Sequence, residues 1–332
     1  MKRGRGVILV SGGLDSLLAA CLLLEQDLDI IGYHCILPFV PPDFKPDELS
    51  VAKMAKQINL PMEYHRCGSE YIDMLRDPEH GYGKYANPCI DCHIYFINAA
   101  AEFMKDIQAD FVATGEVVGQ RPMSQMRHTL NHIEKITGIR GRLLRPLSAK
   151  LLKPTIPELE GIVNRDLLLS LNGRSRKGQL ELIKKYNIPE YASPSGGCLF
   201  TDKNISKRVK DLIAHHSPVT ALDIYLLTLG RHFRISEKTK FIVARNEFEA
   251  DALFKISQTA DYFLIPEFKG PSVYVKGRID DKEIEVIGTV ILRYSKTKNN
   301  SDSISIFQNG ALIKQFYPNS TTSYEFLEKI RI

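Results

Sequence analysis

A short unbroken apolar run, Val7 to Val10, leads through Ser11-Gly12-Gly13-Leu14-Asp15-Ser16 into a longer apolar stretch that continues to Leu24. The first run has strand length and the second helix length, with a glycine turn between them. Leu28 to Ile36 reads as a second buried strand. Asp47 to Ile58 has helical spacing, with Leu49, Ala52, Met54, Ala55 and Ile58 apolar. Met62 to Arg66 reads as a third strand, and Ser69 to Leu75 as a short helix with Ser69 as N-cap. From about Asp91, the residues Ile94, Ile97, Ala100, Ala101 and Met104 line one helical face, and Ala109 to Gly115 is a strand ending in Thr114-Gly115. Strands alternating with helices predict an α/β fold with a doubly wound parallel sheet and right-handed crossovers. A ligand then belongs beyond the carboxyl ends of the strands.

The pattern changes near Pro218. Before it, Ile205 to Ala214 is an amphipathic helix; after it, Ala250 to Ile256 is helical. Ser272 to Lys276, Ile284 to Tyr294 and Ser303 to Phe307 have strand character. This predicts a second, smaller α+β domain, with residues 1–216 and 217–332 as the two parts. The length of 332 residues suits about two or three domains. No apolar run approaches the roughly 20 residues that span a bilayer. The run after the basic N-terminus is too short for a signal-peptide core. These features predict a cytoplasmic protein with no membrane partner.

The glycine turn is the first candidate for chemistry. A strand, a glycine turn and a helix aim backbone N–H groups and a positive helix end at a phosphate. Gly12 and Gly13 leave room for an oxygen to approach, and Ser11 and Ser16 add hydroxyls. Asp15 beside a phosphate makes sense with a magnesium ion between them. The turn lacks the lysine of a Walker A loop. His34, near the end of the second strand, is either a base contact or a core residue.

Cysteines give the second candidate. Six are present. Cys21 and Cys35 fall in apolar elements and read as core, and Cys67 takes no role. Cys89 and Cys92 form a Cys-x-x-Cys where a loop enters a helix, a setting that favours thiolate. Cys198 follows Gly196-Gly197, which would expose its sulfur. Three thiolates can hold three irons of a [4Fe–4S] cluster and leave the fourth iron open, though zinc sites and redox pairs share this spacing. Charge adds a further clue: from Arg121 to Lys185 there are 14 Lys and Arg against 5 Asp and Glu, a balance that attracts polyphosphate or nucleic acid.

Ser-Gly-Gly-Leu-Asp-Ser resembles the PP-loop of the ATP pyrophosphatase superfamily. With Thr114-Gly115-Glu116, Gly119-Gln120, Ser124-Gln125 and Arg145-Pro146-Leu147 following in order, residues 5 to 200 resemble the PP-loop domain of tRNA 4-thiouridine synthetases. The resemblance implies an ATP-dependent tRNA sulfurtransferase that uses ATP and Mg2+, takes tRNA as substrate and draws on a sulfur donor, a cysteine desulfurase or sulfide. It implies ATP contacts at Ser11, Gly12, Gly13, Asp15, Ser16, His34, Thr114, Gly115 and Gln120, with Asp15, Cys198 and Cys89 catalytic. PP-loop thiolases place a Cys-x-x-Cys mid-domain and a third cysteine near its end, so Cys89, Cys92 and Cys198 are implied as cluster ligands. Cluster-free persulfide chemistry on an early cysteine and the late one, and zinc or a structural role, are the alternatives. Arg121, Ser124 and Gln125 would reach toward substrate or phosphate. Arg127, Arg140, Arg142 and Arg145 would meet RNA backbone.

Those synthetases carry an RNA-binding module ahead of the PP-loop, where this sequence has five residues. Gly230-Arg231-His232-Phe233, the Ala244–Glu249 string, Gly270-Pro271 and Arg293-Tyr294-Ser295-Lys296 resemble the RNA-binding R domain of NFACT proteins. That resemblance implies a C-terminal tRNA-gripping module, with Arg231, His232, Arg245, Arg293 and Lys296 on phosphates. Two other functions compete: a PP-loop amide or nitrile synthetase acting on a small molecule, and a non-catalytic, nucleotide-gated RNA-binding module.

Overall fold

Five parallel strands form the first sheet: β1 (Arg5–Leu9), β2 (Asp29–Ile36), β3 (Met62–Arg66), β4 (Phe111–Thr114) and β5 (Leu143–Leu144), in the order β3-β2-β1-β4-β5. The computed structural model describes residues 4–191, 198–296, 303–319 and 322–332. Alternation along β1 builds a core on each face of the sheet. Ile8 joins the cluster around α1 (Leu14–Leu24), and Val7 joins Ile97, Ala100 and Met104 of the later helix α4. A sheet covered on both faces needs strands that are apolar throughout, which is why β1 and β4 read as unbroken runs. Helix α1 is buried on nearly all sides, as its unbroken apolar run from Leu17 to Leu24 requires.

The remaining helices of this unit are α2 (Ser50–Lys56), α3 (Ser69–Arg76), α4 (Cys89–Asp106), α5 (Arg127–Ile136), α6 (Ile156–Leu159) and α7 (Lys177–Tyr186). Gly68, not Ser69, caps α3, and no side chain bonds the cap. Helix α4 begins at Cys89, so both cysteines of the Cys-x-x-Cys lie on its first turn. The strand order reverses between β1 and β4, where crossovers leave in opposite directions, and the ends of these two strands carry Ser11–Ser16 and Thr114-Gly115.

The second unit is a six-stranded antiparallel sheet, β11-β10-β8-β9-β7-β6. Its strands are β6 (Arg231–Arg234), β7 (Lys240–Val243), β8 (Tyr262–Pro266), β9 (Val273–Lys276), β10 (Ile304–Gln308) and β11 (Ala311–Phe316). Its helices are α8 (Lys203–His215), α9 (Ala221–Leu226), α10 (Glu247–Lys255), α11 (Asp281–Tyr294) and α12 (Tyr324–Lys329). The run Ile284 to Tyr294, expected to be a strand, is the helix α11. Its Ile, Val and Thr residues favour strands, but Asp280 and Glu283 form a capping box, and Ile284, Ile287 and Ile291 bury one helical face. The units divide at Thr201/Asp202 rather than at residue 216. The reason is α8, whose buried Arg208 donates to the carbonyls of Leu227 (2.6 Å) and Gly230 (3.0 Å) in the second unit. Among the described residues, no helix is long and apolar enough to cross a membrane.

Gly115 decides how closely β4 approaches the first turn. A Cβ at this position would lie 2.4 Å from Ser16 N and 2.6 Å from Asp15 C, both backbone atoms that cannot swing aside. Gly115→Ala is therefore expected to lower unfolding stability by about 1–3 kcal/mol, the usual effect of overpacking, measured by urea denaturation. An unchanged midpoint would show that this approach is not tight.

Candidate nucleotide and thiol site

Ser11 to Ser16 form a braced loop between β1 and α1. Gly12 has φ +77°, a left-handed conformation natural to glycine. Ser16 Oγ accepts from Ser11 N (3.3 Å) and donates to Gly13 O (2.9 Å), while Ser11 Oγ accepts from Gly13 N (3.3 Å). Both hydroxyls thus hold the loop's shape from within. Gly13 is the N-cap of α1 and no side chain closes that cap. The first-turn N–H groups are left to an anion. His34 donates from Nδ1 to the Val10 carbonyl (2.6 Å), anchoring its ring to the strand that feeds the loop, and burial lowers its pKa.

Asp15 sits between two amides. Gln120 Nε2 donates to Oδ2 (3.0 Å) and Gln179 Nε2 donates to Oδ1 (3.2 Å). With both NH2 groups turned to the carboxylate, Oε1 of each glutamine is buried without a partner. Unpaired buried acceptors are costly, and a carboxylate with two nearby amide oxygens is a hard donor set of the kind magnesium prefers. The residues therefore fit Mg2+. Gln120 was expected at this rim; Gln179 was not. It belongs to no motif, and its one sequence signal is a polar residue on the inward face of α7, where Gln179 and Leu182 are the buried positions.

Behind the loop lies a buried charge network. Thr114 Oγ1 (2.9 Å), His93 Nδ1 (2.8 Å) and Arg145 Nε (2.9 Å) all donate to Glu116. Arg145 also reaches Glu134 (3.3 Å). Burial pushes the Glu116 carboxyl up, but the Arg145 guanidinium and the His93 ring outweigh it and hold the group down at about 2. This network ties β4, the first turns of α4, α5 and the end of β5 together. It also removes Arg145, 3% exposed, from the expected RNA-facing set. Arg142 donates to the Asp110 carbonyl and Arg127 to that of Leu151, whereas Arg140 is exposed. Ser124 and Gln125 are interior, at 1% and 7% exposure, rather than reaching for substrate.

Cys89 and Cys92 lie on the first turn of α4, and Cys198 lies within electrostatic reach of them. Ala86 N donates to the Phe200 carbonyl (3.3 Å), which lays the chain after Cys198 beside the residues leading into Cys89. Asn87 Nδ2 donates to Cys89 Sγ (3.2 Å), and Tyr71 Oη bonds Cys92 Sγ (3.3 Å). Burial pushes the Cys92 thiol well up against the pull of Tyr71, with Cys198 and Cys89 adding to the rise. Burial likewise raises Cys198, with Cys89 adding and Arg121 opposing. The thiolate expected at this helix start is thus overruled by desolvation for Cys92. Among the described residues no three His, Cys, Asp or Glu side chains close around one point. The donor set matches a thiolate-held iron–sulfur group in kind. The Gly196-Gly197 turn lies outside the described residues. Asp91, between the two cysteines, accepts from His80 Nδ1 (2.8 Å), whose Nε2 meets His132 Nε2 at 2.8 Å; sequence reading gave no hint of this pair.

Consecutive residues reach toward the loop and toward one thiol. Gln120 holds Asp15, and Arg121 acts on Cys198. In the second unit the expected phosphate contacts divide. His232 is 1% exposed and Arg245 is paired with Glu249 (2.8 Å), so neither is a free surface cation. Arg231 lies 4.3 Å from the Tyr294 ring centroid, and Arg293 4.0 Å from that of Tyr324. Lys296 is exposed.

Residues 5–135 match the family model of the tRNA methyl transferase HUP domain, and residues 230–315 that of the NFACT protein RNA binding domain. A tRNA-specific 2-thiouridylase of Desulfosudis oleivorans is 30% identical over 112 residues, 32% of this chain and 30% of the relative. That of Trichlorobacter lovleyi is 27% identical over 177 residues, 50% of this chain and 49% of the relative. The chain thus spans between about a third and a half of the length of these relatives. A solved structure of a U34-tRNA thiolase from Methanococcus maripaludis, with its [4Fe-4S] cluster, aligns with TM-score 0.35 and 14% identity over 69% of this chain and 74% of that one.

Two outcomes follow from this geometry. Gln179→Leu keeps the volume and removes the amide, so magnesium–ATP affinity measured by titration calorimetry should fall about tenfold, on the scale of a hydrogen bond to a charged group; equal affinity would show that Asp15 needs no such brace. Glu116 is depressed in the folded state, so its contribution is present above its unfolded value near 4.5 and is lost as pH falls toward 2. Its size is on the order of 3 kcal/mol. Glu116→Gln should remove that part of the acid titration of stability, and an identical profile for both proteins would contradict the pairing.

Proposed function

Taking residues 5–135 as a HUP domain with a PP-loop and residues 230–315 as an NFACT-type RNA-binding domain, we propose that the chain is an ATP-dependent tRNA sulfurtransferase. ATP sits with its phosphates on the backbone N–H groups of Ser11–Ser16. The uridine carbonyl oxygen attacks the α-phosphate, the bond to the bridging oxygen breaks, and pyrophosphate leaves. The resulting adenylated base carries a good leaving group in place of a poor one. A sulfur nucleophile then attacks the same carbon and AMP departs. The observation that supports this reading most is Asp15 at the head of α1, held by Gln120 and Gln179 whose second amide atoms are left unpaired.

Asp15, braced by Gln120 and Gln179, would hold magnesium with the two amide oxygens. Magnesium, when bound, neutralises charge that builds on the departing phosphates. Arg121 favours the thiolate of Cys198 by its charge. Thr114 and Gly115 set the distance between β4 and the loop. His34 holds the loop-feeding strand. Cys89, Cys92 and Cys198 would hold a [4Fe–4S] cluster, which when bound strips its ligands of protons and supplies an iron open to sulfide. The two relatives named as tRNA-specific 2-thiouridylases match a third to a half of this chain, and the tRNA contact proposed for the second unit rests on its own family match.

The decisive test pairs two readouts. Mass spectrometry of tRNA nucleosides from a deletion strain should show a missing thiouridine, restored by the wild-type chain and not by Asp15→Ala. Restoration by Asp15→Ala would leave only a binding role. ATP–pyrophosphate exchange should depend on tRNA; exchange driven by a small metabolite would favour the small-molecule synthetase. Anaerobic protein should carry about four irons per chain and lose them in Cys198→Ala. Colourless protein that still thiolates would place the sulfur on a persulfide instead.

A further inference from the structure

The second unit contains a row of three cations that one carboxylate serves among the described residues. Arg234 on β6 pairs in register with Lys240 on β7, and Lys240 pairs with Lys276 on β9. Residues directly opposite on neighbouring strands project on the same face, so the three positive side chains stand side by side across the sheet. Like charges in that arrangement repel. One carboxylate answers them: Asp211 of α8 accepts from Arg234 Nε (2.5 Å) and Nη2 (2.9 Å) and from Lys240 Nζ (2.9 Å). Among the described residues Lys276 donates to a neutral carbonyl, that of Thr259 (2.7 Å).

These three residues line a small open cavity of about 60 Å³, together with Lys238 from the β6–β7 turn, Tyr274 and His232. The other acids at its edge do little to offset the row. Asp223 is occupied by the backbone N and hydroxyl of Thr220 (2.9 and 2.6 Å) and by His216 (3.3 Å). Glu237 is exposed at the turn. His232 is 1% exposed, and its Nδ1 has no hydrogen-bond partner, so the cavity is polar at depth as well as at its rim. Burial lowers the pKa of Lys240, with Asp211 opposing, as expected of a cation short of counter-charge.

We propose that this cavity is a phosphate-binding site, in which a nucleotide phosphate completes the counter-charge of the Arg234–Lys240–Lys276 row and Lys238 closes over it. The proposal deepens the reading of the second unit as RNA-binding and rests on it for the source of the phosphate, an RNA backbone. A backbone phosphodiester brings one negative charge and two non-bridging acceptor oxygens, which three or four clustered donors can share. Lys and Arg held on three adjacent strands also present their charges at fixed spacing, so a bound phosphate is positioned rather than merely attracted.

Lys238 and Lys276 are the informative positions, because Arg234 and Lys240 also hold Asp211 and their loss would disturb α8. In the full chain, Lys238→Gln with Lys276→Gln should weaken binding of an unmodified tRNA transcript roughly tenfold at fixed salt. It should also reduce the slope of log affinity against log salt by about one, the loss of one phosphate contact. Lys238→Gln alone, which touches no fold contact described above, should give about half that change in slope. Titration with ADP provides the second arm: a weak second class of sites present in the wild type and lost in the double variant would assign the cavity to a free nucleotide phosphate. If tRNA binds the wild type but affinity, slope and ADP sites are all unchanged in a folded double variant, the cavity proposal is overturned while the RNA reading stands. If the wild type binds no tRNA, that reading fails, and the ADP arm alone decides the cavity.

Discussion

A carboxylate held at the head of a buried helix by two interior amides is the interaction on which the rest of the first unit depends. Asp15 stands on the first turn of α1, and Gln120 and Gln179 come from segments 105 and 164 residues away to hold it. Their free carbonyl oxygens make the arrangement incomplete by itself. A fold that keeps costly unpaired acceptors beside a charge is organised for something that arrives later. Gly115 makes the arrangement possible, because any side chain there would push the end of β4 off the loop.

Around that point the polypeptide arranges layers of charge. Glu116 follows Gly115 directly and is fixed by Thr114, His93 and Arg145. His93 is the neighbour of Cys92, so the network that sets the strand end also sets the first turn of the thiol-bearing helix. Phosphate loop, charge network and thiols are thus linked by adjacent residues. Burial pushes the Cys92 and Cys198 thiols up, with Arg121 opposing it at Cys198.

The parallel sheet was legible because β1, β2 and β4 are apolar runs of strand length followed by glycine turns or helical spacing. The loop was legible because its six residues are contiguous. Gln179 was hidden because its meaning comes from a contact across 164 residues. Arg145 misled for a related reason: a basic residue in a basic segment looks solvent-facing until its partner Glu116, 29 residues away, is seen. Ile284 to Tyr294 misled through composition, since Ile, Val and Thr favour strands while the capping box at Asp280 and the helical spacing of the buried isoleucines decide for helix. The cationic row in the second unit could not be read from sequence, because Arg234, Lys240 and Lys276 become neighbours only through strand register.

The central claim is that the nucleotide and the sulfur meet on one rim of the first unit. A crystal structure with manganese and a non-hydrolysable ATP analogue tests it most directly, because the anomalous signal of manganese marks the ion independently of the nucleotide. The account predicts manganese between Asp15 and the triphosphate, the phosphates on the N–H groups of Ser11–Ser16, and the α-phosphate facing Cys89 and Cys198. A nucleotide bound elsewhere, or one whose α-phosphate is walled off from both sulfurs, would contradict it.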